Sequence, residues 1–318
     1  MKAVKKGGIR PSRGSDRSKS SIQSDEYLRK IRNWDQFEYN ARKHYLKTQL
    51  SGNVLGYTGP GGAFEMSSNE VFLCGDESSV VARFGQNVGH VMTKVFQTDR
   101  SQDNSLRDIS FGDYRALRED KSSAKCPDIA IGKKEVTGKK EAIGKKRELL
   151  CVGEAKTPWS VDLDGIKYAD KNGVPFRRLL GQISGYMNQL NLKYGFLTTY
   201  EKTIFLKRET HPDFKAQTHN LVLWHSPAIY HNTPSQAVPE NQIHAIEYMK
   251  KVSLRECFLY FVSLAQVETF AGNKEELAHY VGPGTGRYSA NDELTEPSTG
   301  GDPGNGDNDN HGMAGTFS

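Results

Sequence analysis

Asp128, Glu154 and Lys156 are the residues of this sequence whose types and spacing suit chemistry. Glu154 and Lys156 close the run Leu149-Leu-Cys-Val-Gly-Glu-Ala-Lys156, with one residue between them. Residues two apart on a strand point to the same face. A strand ending here therefore presents a carboxylate beside an ammonium. Upstream, Cys126-Pro-Asp-Ile-Ala-Ile131 is a second short apolar run with Asp128 near its start. Two carboxylates and a lysine on neighbouring strands are the parts of a cation-dependent site for phosphodiester cleavage. A phosphodiester resists hydroxide because its anionic oxygens repel the attacker. A divalent cation offsets that charge, orients water and lowers its pKa. Asp128 and Glu154 are oxygen donors that suit Mg2+ or Mn2+. Lys156 would hold the attacking water or balance the pentavalent transition state. A Glu-x-Lys pair at a strand end is more commonly a surface ion pair, so the surrounding elements decide its weight.

Those elements can be read from periodicity. Residues 25–50 place Tyr27, Leu28, Ile31, Trp34, Phe37, Ala41, Tyr45 and Leu46 at three-to-four spacing, which predicts an amphipathic helix. Residues 52–67 are glycine-rich and read as a loop. They lack the Gly-Lys-Ser/Thr ending of a phosphate cradle. Ser78 or Ser79 can cap a helix through about Phe96, with Val81, Phe84, Val88, Val91, Met92 and Val95 on one face. Glu77, at its start, is the nearest acid on that helix and also suits a helix N-terminus. Strands are expected within 107–116, over 127–131 and over 149–155. A helix follows over 175–191, with Phe176, Leu179, Leu180, Ile183, Met187 and Leu190 as its stripe. Strands at 194–200 and 203–208 form a tight hairpin, and 219–225 is a further strand. Helices close the chain at 242–251 and 254–270. The middle thus reads helix, strand, strand, strand, helix, strand, strand, an α/β order.

Between the two strands that carry the charges, residues 132–148 repeat Gly-Lys-Lys at Gly132, Gly138 and Gly144, with seven basic and three acidic side chains. This insert reads as a flexible hairpin loop. Its Lys133, Lys134, Lys139, Lys140, Lys145 and Lys146 could grip a nucleic-acid backbone without sequence preference. Residues 1–24 form a basic tail of low apolar content, expected to be disordered, in which Lys5, Lys6, Arg10, Arg13 and Arg17 suit nuclear targeting or contact with nucleic acid. Residues 282–318 form an acidic tail, also expected to be disordered, with six acidic and no basic side chains from Asn291 to Asn310. A single domain over 25–281 lies between them. No apolar run is long enough to cross a membrane. The four cysteines are scattered, and no secretory signal is evident. An intracellular protein of the nucleus or cytoplasm is the expectation.

Pro127-Asp128, followed by Glu154-Ala155-Lys156, resembles the hallmark of the PD-(D/E)xK nuclease superfamily. Gln182-Ile-Ser-Gly-Tyr186 on the next helix resembles the Gln-x-x-x-Tyr element of RecB-like members. The stretches 177–187 and 193–207 are similar to uncharacterised fungal-type members, some of which occur beside or fused to kinase-like domains. The resemblance spans roughly 80–207. It implies a restriction-endonuclease-like αβββαβ core, with a mixed central sheet flanked by helices. It also implies a cation held by Asp128, Glu154 and the Ala155 carbonyl, and DNA as substrate. Catalytic roles would fall on Asp128, Glu154, Lys156, Gln182 and Tyr186. Helical spacing sets Gln182 and Tyr186 at the border of core and cleft, while Arg177 and Arg178 could meet backbone phosphate. The superfamily also holds members that bind without cleaving. A non-cleaving nucleic-acid-binding or signalling module, with a kinase-like partner, is therefore the alternative reading. No pattern here points to a membrane, a base-reading motif or an oligomeric state.

Overall fold

The computed structural model describes residues 25–27, 30–50, 58–59, 62–63, 73–101, 105–117, 126–134, 147–163, 174–213, 218–235, 252–271 and 281–283. In chain order the elements begin with β1 (Asp25–Tyr27), β2 (Lys30–Asn33), α1 (Phe37–Lys47), β3 (Thr58–Gly59) and β4 (Gly62–Ala63). Then come α2 (Glu77–Phe84), a π-helical turn (Gly85–Gly89), α3 (His90–Gln97), β5 (Ile109–Gly112) and α4 (Tyr114–Leu117). β6 (Ile129–Lys134), β7 (Arg147–Ala155), α5 (Val174–Gln189), β8 (Tyr194–Thr198) and β9 (Lys202–Asp213) follow. The series ends with β10 (Thr218–His225), β11 (Ile229–Tyr230), α6 (Leu254–Val267) and β12 (Val281–Pro283).

One eight-stranded mixed sheet organises these elements, in the order β2-β10-β9-β8-β7-β6-β5 with β11 beside β9. β5, β6 and β7 pair antiparallel. β8 lies parallel to β7, because α5 carries the chain back across the sheet between them. The fold is therefore α/β, and the expected order of the middle elements is present, with α4 as an added single turn.

β7 reads as an apolar run because both faces of the sheet are covered. On one face Cys151 and Ala155 join Phe84, Phe196, Phe205, Phe258 and Phe261 beneath α1, α2 and α6. On the other, Val152 meets Leu180, Ile183 and Met187 of α5, with Leu197, Ile204 and Leu206. Strand alternation sorts the side chains: Phe196 and Phe205 go to the first layer, Leu197 and Ile204 to the second. Gly153 faces the aromatic layer. A Cβ there would come within 2.2 Å of the Phe196 ring, so only glycine lets that ring lie against the strand. Ser253 and Glu256 start α6 with a capping box. Glu256 also forms a buried ion pair with Arg42 of α1.

Several expectations are corrected. The helix expected over 25–50 begins only at Phe37, because residues 30–33 pair parallel with β10 as an edge strand. Ile31 packs in the α5 layer while Trp34 and Phe37 fall in the aromatic layer, so their spacing reflects two faces of the sheet. The glycine-rich loop includes two short paired strands, β3 and β4. Asp76, and neither Ser78 nor Ser79, caps α2, accepting from the Ser79 N–H at 2.8 Å. The helix expected through Phe96 is present but divided by the π-helical turn. Gly282 and Pro283 pair with β1 in place of beginning the acidic tail. Residues 1–24, 135–146, 242–251 and 284–318 lie outside the described residues, as do the expectations placed on them. Among the described residues, no helix is long and apolar enough to cross a membrane, and no disulfide joins the four cysteines.

Candidate active site

The carboxyl end of β7 brings the three expected residues together. Ile129 pairs with Gly153, so Asp128, one residue earlier, stands across from Glu154. The Ala155 backbone N–H donates to Asp128 Oδ2 at 2.9 Å, which ties the first carboxylate to the peptide between the other two residues. Lys156 Nζ donates to Glu154 Oε1 at 2.7 Å. The same ammonium reaches Glu77 Oε1 at 3.4 Å, from the first turn of α2. Glu77 was legible as the first helix's acid. Its partner was not, because the side chain reaches over a strand end that only the tertiary fold places there.

This constellation is not a surface ion pair. Glu154 is 2% exposed and Lys156 4%. Glu154 Oε1 is taken by Lys156, whereas Glu154 Oε2 is buried and, among the described residues, has no hydrogen-bond partner. Burial pushes the Glu154 carboxyl up to about 8, and the neighbouring Asp128 charge adds to the rise while Lys156 opposes it. Asp128 is also raised, first by burial, against the Ala155 N–H and Lys156, which lower it. Burial works against the charge on Lys156, but Glu154, Glu77 and Asp128 outweigh it and raise its pKa.

On α5, Gln182 Nε2 donates to the Tyr186 hydroxyl at 3.3 Å. Tyr186 is buried in the layer beneath β7. Burial raises its pKa, and the charges of Glu154 and Asp128 push the same way, which places the phenol within the electrostatic reach of the site. Arg177 is half-buried and Arg178 exposed on the same helix. Lys133 and Lys134 end β6, paired with Glu148 and Arg147. They therefore stand at the opposite end of that strand from Asp128, roughly 17 Å away by strand rise. Lys139, Lys140, Lys145 and Lys146 lie outside the described residues.

A cavity of about 370 Å³ opens beside Asp128, lined by α2, the π-helical turn, α3 and β5. Its His90 and Thr93 share α3, while Phe111 lies on β5 and Asp113 just after it; no sequence spacing links the helix to the strand, so the group carried no signal.

The donor set can be tested for a cation. An orphaned buried carboxylate oxygen on Glu154, beside Asp128, is the arrangement a hard divalent cation would relieve. Among the described residues, no three His, Cys, Asp or Glu side chains converge as a metal-holding group. Glu77 is directed to Lys156 instead. Asp128 and Glu154 are thus the two carboxylates that could serve a cation here. Comparison with known proteins adds no relative: no family model, no curated protein and no solved structure matches this chain.

Proposed function

We propose that this protein is a cation-dependent nuclease of the PD-(D/E)xK type, hydrolysing phosphodiester bonds in DNA. The observation that carries the reading is the orphaned Glu154 Oε2, buried beside Asp128 with Lys156 at 2.7 Å from its sister oxygen. A carboxylate is seldom buried with an unsatisfied oxygen unless a cation or proton completes it. The element order around β7 supports a restriction-endonuclease-like core, with Asp128 and Glu154 on adjacent antiparallel strands.

Asp128, Glu154 and the Ala155 carbonyl would hold Mg2+ or Mn2+. When bound, the cation supplies charge neutralisation of the phosphodiester and a water of lowered pKa. The Ala155 N–H fixes the Asp128 carboxylate, so this donor is oriented before substrate arrives. Glu154 must give up its proton to act as a donor, which ties cation affinity to pH. Lys156 stays charged and is held between Glu154 and Glu77. From there it can orient water or stabilise charge on the scissile phosphate. Tyr186 keeps its proton and can donate it to a phosphate oxygen, while Gln182 holds the phenol in place. Arg178, exposed on α5, and the Lys-rich insert would add contacts to backbone phosphates.

A second reading is favoured by the closed ion pairing of Lys156 with Glu154 and Glu77, which satisfies the lysine without a cation. On that reading the chain is a nucleic-acid-binding or signalling module that does not cleave, working with a kinase-like partner. Incubation of the purified protein with plasmid, linear duplex and single-stranded DNA, with Mg2+ or EDTA, separates the two. The nuclease reading expects Mg2+-dependent cleavage that Asp128→Ala abolishes and Lys156→Ala slows by roughly 10²–10³-fold. Salt-sensitive DNA binding without cleavage favours the second reading.

A further inference from the structure

Apart from Asp128, the residues that line the cavity beside it take no part in the chemistry described above. Its volume, about 370 Å³, falls within the roughly 300–1,000 Å³ of small-ligand pockets. Phe84, Phe111, Val81 and Ile129 give it apolar walls, while His90, Thr93 and the acids Asp113 and Asp128 supply polar groups. Phe111 is anchored from behind by Phe258 at 5.4 Å and Phe96 at 6.1 Å between ring centroids. Its N–H donates to Thr93 Oγ1 at 3.1 Å, and Thr93 donates in turn to the Gly89 carbonyl at 2.8 Å. These bonds lock β5 to the helical wall, so the cavity is preformed. Three glycines, Gly85, Gly89 and Gly112, line it. Among the described residues, a Cβ at Gly85 or Gly112 would meet nothing within 4 Å. The π-helical turn that begins at Gly85 is a form that recurs at functional sites.

Three properties define the occupant. The cavity adjoins Asp128, so whatever fills it sits next to the reacting phosphate. Two carboxylates, Asp113 and Asp128, line it against one imidazole, His90, a balance that disfavours a second phosphate. Aromatic walls with acceptor oxygens at the rim suit a flat neutral ring carrying amino groups. Asp113 keeps part of this acceptor capacity while its Oδ1 accepts from the Arg115 N–H at 2.6 Å.

We infer that this cavity receives the nucleobase adjoining the scissile phosphate, with adenine, cytosine or guanine preferred over thymine for their exocyclic amino groups. The inference rests on the nuclease reading for the identity of the phosphate at Asp128. Its test keeps the two apart. In the binding arm, dAMP, dCMP, dTMP and deoxyribose 5-phosphate are titrated into the full chain while the amide signals of Thr93, Phe111 and Gly112 are followed. dAMP or dCMP is expected to shift them and to bind at least roughly fivefold more tightly than deoxyribose 5-phosphate, the lower end for base stacking on an aromatic wall. Gly85→Leu and Gly112→Val each fill the space and should remove that difference. Gly85 has ordinary helical angles, φ −56° and ψ −44°, so leucine fits its backbone. In the cleavage arm, abasic sites are placed one at a time along a duplex, and one position flanking the cut should slow the reaction. Base-dependent shifts at these amides without any cleavage would retire the nuclease reading and keep the pocket. Cleavage indifferent to every abasic site, equal binding of deoxyribose 5-phosphate, or unchanged nucleotide binding in both folded variants would each overturn the pocket.

Discussion

At the scale of single residues, Glu154 sets the behaviour of the site. Its carboxyl is raised from 4.5 to about 8, chiefly by burial. Between those values the unfolded chain has released this proton while the folded chain retains it. Folding then binds a proton, and stability falls as pH rises through that window. Asp128, also raised, adds to the loss from the lower end. The metal-free protein should therefore lose stability between about pH 4.5 and 8, with a slope near 1.4 kcal/mol per pH unit at most for one proton. Glu154→Gln keeps an acceptor for Lys156 and removes the titration, so denaturant midpoints of this variant should vary much less with pH. Lys156 is the second residue with a sharp expectation. Replacing it by Met leaves Glu154 without its 2.7 Å partner and, on the proposed nuclease reading, would leave the phosphate without a cationic neighbour. Single-turnover cleavage of duplex DNA should slow by roughly 10²–10³-fold.

At the scale of elements, β7 positions the site because its two faces serve different layers. Gly153 faces the aromatic layer and sits against Phe196, which is fully buried. Gly153→Ala forces the ring aside and should cost about 1–3 kcal/mol in denaturant unfolding. Adding Phe196→Leu should return part of that loss, since both changes act on one contact. The apolar run into Glu154 made this strand legible before the fold was known, and the stripe of α5 made its covering helix legible. Other elements were not legible in the same way. Residues 30–33 carry Ile31 at helical distance from Trp34, yet they extend along β10 because a sheet edge outweighs a short periodic signal. Asp76 displaced two serines as the α2 cap, since all three suit that role by type. The union of Asp128, Glu154 and Lys156 could be expected from strand adjacency. The Glu77 contact and the cavity could not, because both depend on how α2 and the π-helical turn pack over the strand ends.

At the scale of the whole molecule, α1 and α6 close one face of the sheet from segments far apart in the chain. Arg42 and Glu256 join them, both fully or nearly fully buried. Ser235 also donates to Glu256 Oε1, at 3.1 Å. Arg42→Met strands Glu256 in the interior and should destabilise the fold by roughly 3–5 kcal/mol, read as a lowered denaturant midpoint with the slope unchanged. On the proposed nuclease reading, the nucleic-acid footprint would also be a property of the whole surface. Lys133 and Lys134 lie at the far end of β6 from Asp128, so DNA touching both would run along the length of the sheet. On the proposed reading, a cation bound to the folded state would stabilise the domain and would favour loss of the Glu154 proton. Calorimetric titration of Mg2+ and Mn2+ into the purified protein, at pH 6 and pH 8 in buffers of different ionisation enthalpy, measures both effects together. Saturable binding that is tighter at pH 8, releases a proton and disappears in Glu154→Gln and Asp128→Asn is the expected result. Absence of binding, or binding that survives both substitutions unchanged, would contradict a cation site between these two carboxylates.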